Sequence, residues 1–370
     1  LKRVREAIAR TELDWLILFH PVSIHWLTGS DAKSYQAFQC LMVSAESRPT
    51  VMLTRESERN EFEDDAWIDE LETWGGSEPQ DPLEVFGDIA NKLGLQGKRV
   101  GIEVPAYYLH PHHYEKVKLF LGRALVAEPT GLVPHLKLVK SPREIELVRK
   151  AGAIADEAMR SFTAALQPGR SELQVAAEVY RTLLAEGSGL PASTMNLVSG
   201  KRAGFSHGAP TERILQHGDA GNVEYGAAYK RYTATIGRQF CLGAPSRRVQ
   251  HLYDVVRAAA DACIAEIRDG VPAIVPHEAA KRVIAEAGFD RYRIHTSGYG
   301  IAPGFPPSWG EPLNMFGGTT DVLKAGMVIS VEPPVFIGSE HLGARIIDNV
   351  LVTENGAELL GRFPRELVVA

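Results

Sequence analysis

The chain has 370 residues, of which 45% are hydrophobic and 23% charged, with a formal net charge of −6. That length implies two domains, each burying a core of its own, and the composition is that of an ordinary globular protein. The slight acidity speaks against a nucleic-acid-binding face, and no apolar run approaches the length of a membrane span.

Residues 1–10, LKRVREAIAR, predict an amphipathic helix rather than a secretory signal. Apolar runs at 15–19, 39–43, 51–53 and 100–103 predict strands, and the spacing of 82–90 predicts a helix among them. This alternation predicts a small α/β domain. His110, His112 and His113 cluster at what reads as a helix start, and they read as surface residues. Ser141 then reads as an N-cap with Pro142 in the first helical position. The helix they open is expected to reach about Leu166, stopped by Pro168 and Gly169, and a second is expected over 171–186. Further on come a hairpin at 218–242, helices near 246–268 and 276–287, and strands near 327–333 and 345–353. The domains are expected at 1–138 and 139–370. Cys40, Cys241 and Cys263 have no paired spacing and read as reduced thiols of a cytoplasmic protein.

The hairpin, GDAGNVEYGAAYKRYTATIGRQFCL, carries Glu224 on one strand and Thr235 on the next, with a turn at Tyr229-Lys230-Arg231 between them. It resembles the segment of the pita-bread metallopeptidases (methionine aminopeptidase, prolidase, aminopeptidase P and creatinase) in which two aspartates at this spacing bind two divalent metals. Three more segments resemble that family in the right order: KSPREIE at 140–146, AGMVISVEP at 325–333 and GARIIDNVLVTE at 343–354. The resemblance implies an α+β fold, a pita-bread catalytic domain preceded by a smaller α/β creatinase-like N-terminal domain.

It also implies five ligand positions, and here their residues have changed. The two aspartates fall on Glu224 and Thr235, the histidine on Tyr299, one glutamate on Glu332 and the other on Ile347. Two carboxylates cannot hold a dinuclear centre, because hard divalent ions need several oxygen or nitrogen donors. No metal and no cofactor are therefore expected. A single ion on Glu224, Glu332 and His207 remains the alternative.

Two buried carboxylates without a metal need another cation or a shared proton, and a positively charged substrate meets that need. The run GYGI at 298–301 followed by FPPSWGE at 305–311 is similar to the metal-free ectoine hydrolase branch, where a glutamate at the Glu224 position attacks a cyclic amidine. Creatinase places its glutamate where this chain has Gly237. Ser308 departs from the ectoine branch, as do the retained Glu332 and the segment 34–39.

The resemblance thus implies a metal-independent hydrolase of a C–N bond in a small compound, cationic or cyclic. Glu224 is expected to be the nucleophile and His207 the proton shuttle. Glu332 is expected to pair with the substrate's charge, or to be the base. Tyr232, Thr235, Tyr299 and Trp309 are expected around the substrate, and His295 is expected to support the Tyr299 motif. Arg345 is expected to bind a substrate carboxylate or to pair with Asp348 or Glu332. On this reading Glu224→Gln removes turnover and leaves folding nearly intact. A homodimer is expected, with segment 30–40 near the partner's pocket, and neither nucleic acid nor membrane is expected as a partner. Two alternatives stay open: an Xaa-Pro dipeptidase or aminopeptidase type of metallopeptidase, and a catalytically inactive binding protein on the same fold.

Overall fold

The computed structural model describes residues 1–370, the side chain of Ala302 excepted. It divides into two compact units, Leu1–Lys137 and Leu138–Ala370.

The first unit is built on a six-stranded sheet. In chain order its strands are β1 (Trp15–Leu18), β2 (Cys40–Ser44), β3 (Val51–Arg55), β4 (Glu70–Trp74), β5 (Val100–Ile102) and β6 (Leu125–Ala127), and their order in the sheet is β4-β3-β2-β1-β5-β6. Helices α1 (Lys2–Arg10), α2 (Pro21–Thr28), α3 (Arg59–Asp65), α4 (Pro82–Lys92), α5 (Pro111–Leu121) and α6 (Leu132–Leu136) complete the unit. Successive strand residues point to opposite faces, which gives this sheet two separate apolar cores. Trp15, Ile17, Cys40 and Met42 enter one, and Leu16, Leu18, Leu41 and Val43 enter the other. The histidine cluster lies at a helix start, as its sequence suggests. His110 caps α5 by accepting a hydrogen bond from the His112 amide at 3.1 Å.

The second unit opens on α7 (Pro142–Ala165) and α8 (Glu172–Ala185), each begun by a capping box, Ser141 with Glu144 and Ser171 with Gln174. Helices α9 (Arg247–Ala265) and α10 (Ile274–Glu286) pack together further along the chain. The strands are β7 (Asn196–Ser199), β8 (Ala220–Tyr229), β9 (Tyr232–Cys241), β10 (Gly298–Phe305), β11 (Ser308–Met315), β12 (Val328–Val331), β13 (Val335–Ile337), β14 (Leu342–Ala344), β15 (Asp348–Val352), β16 (Ala357–Leu359) and β17 (Val368–Val369). The main sheet runs β16-β15-β12-β10-β9-β8-β7, with β11 on β10, β17 parallel to β9, and β13–β14 as a separate ribbon.

The β8–β9 hairpin has the predicted turn. Lys230 and Arg231 take φ values of 49° and 67°, the left-handed pair that a tight two-residue hairpin requires. No helix among the described residues is long and apolar enough to cross a membrane. Cys40, Cys241 and Cys263 are buried free thiols.

Candidate active site

The central strands of the second unit bring Glu224, Thr235, Tyr299 and Glu332 together. In the β8–β9 register Glu224 stands opposite Gly237, and Gly226 stands opposite Thr235. The alternation of a strand therefore turns Glu224 and Thr235 the same way. Tyr299 on β10 stands opposite Ser330 on β12, and Glu332 follows β12 directly. Arg345 and Ile347 lie between β14 and β15.

Glu224 is 6% exposed and is held through a single oxygen. Arg345 Nη1 donates to Glu224 Oε2, and Asn196 Nδ2 on β7 donates to the same atom at 2.9 Å. Oε1 has no hydrogen-bond partner among the described residues, so one carboxylate oxygen is fixed while the other keeps its lone pairs. Arg345 is 4% exposed and donates its other terminal nitrogen to the Ser206 carbonyl at 2.6 Å. The sequence reading paired Arg345 with a substrate carboxylate, Asp348 or Glu332. In the structure it pairs with Glu224, while Asp348 is taken by Arg238 and Arg365. This arrangement also changes the argument about charge, because the cation that buried Glu224 requires is supplied by the protein.

Glu332 is 5% exposed and is held differently. Ser330 Oγ donates to its Oε2 at 2.9 Å, Thr235 Oγ1 lies 3.1 Å from Ser330 Oγ, and Asn349 Nδ2 donates to Thr235 Oγ1 at 2.7 Å. The Asn349 side-chain oxygen closes the far end by accepting from the Thr235 amide at 2.6 Å. Thr235 thus serves as a link in a hydrogen-bonded chain that ends on Glu332. On the other oxygen, His295 Nδ1 lies 3.3 Å from Glu332 Oε1. Burial and the charge of Glu224 push the Glu332 carboxyl up to about 8, against the opposing pull of the Ser330 hydrogen bond and Arg345. Burial also lowers His295, and the nearby Arg345 and His207 work in the same direction. At neutral pH the two carboxyls therefore differ: Glu224 faces a guanidinium, and Glu332 keeps its proton.

Tyr299 and Trp309 are joined by the indole N–H, which donates to the phenol oxygen at 3.0 Å. Burial raises the phenol well above its usual range, and the nearby carboxyls of Glu332 and Glu224 work in the same direction. The Trp309 ring lies against Gly226, where a Cβ would sit 3.0 Å from the indole. Tyr232 packs in the same apolar cluster as Trp309, but its hydroxyl is committed to Glu144 at 2.9 Å. Alternation along β9 turns Tyr232 to the face opposite Thr235, toward the start of α7, so the structure does not bring it to the substrate side as expected. His207 is exposed, with its ring centroid 5.7 Å from that of His295. His295 thus bridges exposed His207 and buried Glu332, a closer involvement than the supporting place expected for it.

The residues at the five ligand positions do not fit a pair of divalent ions. Ile347 is buried hydrocarbon packed on Gly237, where any Cβ would meet Ile347 Cγ1 at 2.7 Å. That contact also keeps a creatinase-type glutamate out of position 237. Thr235 Oγ1 is spent in its hydrogen bonds, and Arg345 holds Glu224 Oε2. Among the described residues no group of three or more His, Cys, Asp or Glu is arranged to hold a metal ion. Hard cations need more oxygen donors than this set provides.

Asn196, Ser330, Asn349 and the Ser206 carbonyl belong to the site and were not singled out from sequence. Ser330 lies two residues before Glu332 and Asn349 two after Ile347, so strand alternation was the available signal for both. Asn196 reaches Glu224 only through the β7–β8 register.

Residues 146–354 match metallopeptidase family M24, and residues 1–139 match the creatinase/prolidase N-terminal domain. The chain belongs to metallopeptidase family M24. It is 30% identical to an Xaa-Pro dipeptidase of Pyrococcus horikoshii, over 100% of this chain and 98% of that protein. It is 27% identical to an ectoine hydrolase of Halomonas elongata, over 100% of this chain and 96% of that one. The crystal structure of dipeptidase PepE from Mycobacterium ulcerans superposes with a TM-score of 0.86 at 28% identity, covering 100% of this chain and 96% of that one. The family is a hydrolase family with the pita-bread fold, and its members similar to this chain include both peptidases and an ectoine hydrolase.

Proposed function

We propose that this protein is a metal-independent hydrolase of a C–N bond in a small compound, with Glu224 as the attacking carboxylate. The observation that carries the reading is the buried Glu224–Arg345 pair, which puts a guanidinium on the carboxylate that a dinuclear metallopeptidase needs for its metals. Glu224 Oε1 supplies the electron pair, so no metal is needed to generate hydroxide at neutral pH. Glu332, which retains its proton to about pH 8, donates to the departing nitrogen. His295 connects that carboxyl to His207, which exchanges protons with solvent. Tyr299 and Trp309 form the wall against which the compound packs.

Rapid-quench mass spectrometry tests this reading directly. With a substrate found among small C–N compounds, a covalent adduct is expected on the peptide carrying Glu224, and it should accumulate in His207→Ala. Turnover at an ordinary rate with that peptide unmodified at every quench time overturns the assignment of Glu224. The dipeptidase relatives favour an Xaa-Pro metallopeptidase instead, and the chemistry of Thr235 and Ile347 speaks against it.

The homodimer expected from the family resemblance is retained as part of the proposal. Trp67 is 84% exposed and Tyr107 is 66% exposed on the first unit, aromatic surface that a partner chain would cover. Light scattering at assay concentration should give twice the chain mass. A stable and fully active monomer contradicts the proposal.

A further inference from the structure

Arg345 follows the charge of Glu224 through the reaction, and this selects among C–N compounds. In the resting site the Arg345 guanidinium is buried, and among the described residues Glu224 is the one carboxylate at salt-bridge distance from it. Both donors to Glu224 converge on Oε2, which leaves Oε1 to attack. When Oε1 bonds to an electrophilic carbon, Glu224 gives up its negative charge. What then stands beside the buried guanidinium depends on what was attacked.

With a neutral amide or lactam, the C=O π pair moves onto the carbonyl oxygen as the new C–O bond forms. The negative charge is transferred to an oxyanion a bond or two from where it began, and Arg345 stays paired. A cationic amidinium behaves differently. Its π pair moves onto a nitrogen that was positively charged, the adduct is neutral overall, and Arg345 is left as an uncompensated buried cation. A buried charge deprived of its partner is strongly disfavoured. A preorganised donor acts on rate through the charge that develops in the transition state.

We propose that the substrate class of this site is a neutral acyl C–N compound, a lactam or other small amide, and that Arg345 is a catalytic residue stabilising the oxyanion formed on it. The inference rests on Glu224 being the attacking carboxylate. In the full step the tetrahedral oxyanion collapses, the C–N bond breaks, and nitrogen departs with the proton given by Glu332. A mixed anhydride on Glu224 remains. Water adds to the anhydride and releases two carboxyl groups, one of them Glu224. The proton balance closes through Glu332, His295 and His207, and no oxidant or metal enters.

The test compares five- and six-membered lactams with cyclic amidines of matched ring size and substituents, using the wild-type protein in chelator. Rates are measured together with rapid-quench mapping of the Glu224 peptide. Lactams are expected to turn over at least about 100-fold faster than their amidine partners, the scale of one oxyanion donor, with an acyl adduct on Glu224. Amidine turnover that equals or exceeds lactam turnover, with the adduct still on Glu224, overturns the substrate class and leaves the proposed nucleophile standing. Turnover of either ring type with Glu224 unmodified, or no turnover of either ring type, overturns the inference together with its premise. Arg345→Lys gives a second readout. It keeps the charge and loses the fork, so kcat for lactams should fall by about 10-fold or more with KM changed little. An unchanged kcat contradicts the oxyanion role.

Discussion

Glu224→Gln should cost the protein both its turnover and a large part of its stability. The sequence alone suggested an isosteric change with little effect on folding, since the side-chain volume is preserved. The ion pair reverses that expectation. With a neutral amide at position 224, the Arg345 guanidinium remains buried with no carboxylate at salt-bridge distance. Breaking one half of a buried pair typically costs about 3–5 kcal/mol. At roughly 2–4 °C per kcal/mol for a unit of this size, the unfolding midpoint should drop by on the order of 10 °C. The double variant Glu224→Gln/Arg345→Met removes both charges and should recover most of the loss, because a buried pair replaced by uncharged groups is often tolerated. Neither variant should turn over. A Glu224→Gln protein as stable as wild type would mean that Arg345 is compensated elsewhere.

The second large effect concerns Glu332 and pH. Its carboxyl is raised from the ordinary value of 4.5 to about 8 in the folded protein. A raised acid binds its proton more tightly in the folded than in the unfolded state. Its contribution to stability is therefore complete below about pH 4.5 and is lost progressively as pH rises to about 8. The loss amounts to a few kcal/mol. The wild-type unfolding midpoint should accordingly fall across this interval, and Glu332→Gln, which cannot ionise, should fall less and become the more stable protein at pH 9. Activity follows the same proton. Wild-type kcat/KM should decline above about pH 8, and Glu332→Gln should lose about 10²–10⁴-fold at neutral pH, the usual range for a proton donor. Of the two roles the sequence leaves open for Glu332, pairing with a substrate cation instead predicts mainly weaker binding, while the base role also predicts lost turnover. Parallel stability profiles for wild type and Glu332→Gln would show that the group is ionised throughout.

The elements that carry the site were legible where local chemistry dictates them. Ser141 with Pro142 and Glu144 starts a helix whatever surrounds it, and Ser171 with Gln174 does the same. The hairpin was visible because two apolar strands flank the Lys230–Arg231 turn, even though neither turn residue is glycine. The loss of ligands at Thr235 and Ile347 could be read residue by residue. Two features could not. Arg345 and Glu224 are 121 residues apart, and nothing in either neighbourhood specifies which of several carboxylates a buried arginine will meet. The chain from Asn349 through Thr235 and Ser330 to Glu332 crosses three strands, so its members read as unrelated polar residues until the sheet order brings them side by side. Both features concern how charge is compensated inside the fold. For that reason the fold came through from sequence, while the way the proposed site residues compensate one another's charge did not.

Metal content of the fully active protein tests the central claim most directly. After exhaustive dialysis against a strong chelator, elemental analysis should find far less than one divalent ion per chain, with the rate on an identified C–N substrate unchanged. About two ions per chain, with activity lost in chelator and restored by manganese or cobalt, would contradict the account and place the chain among the dinuclear peptidases.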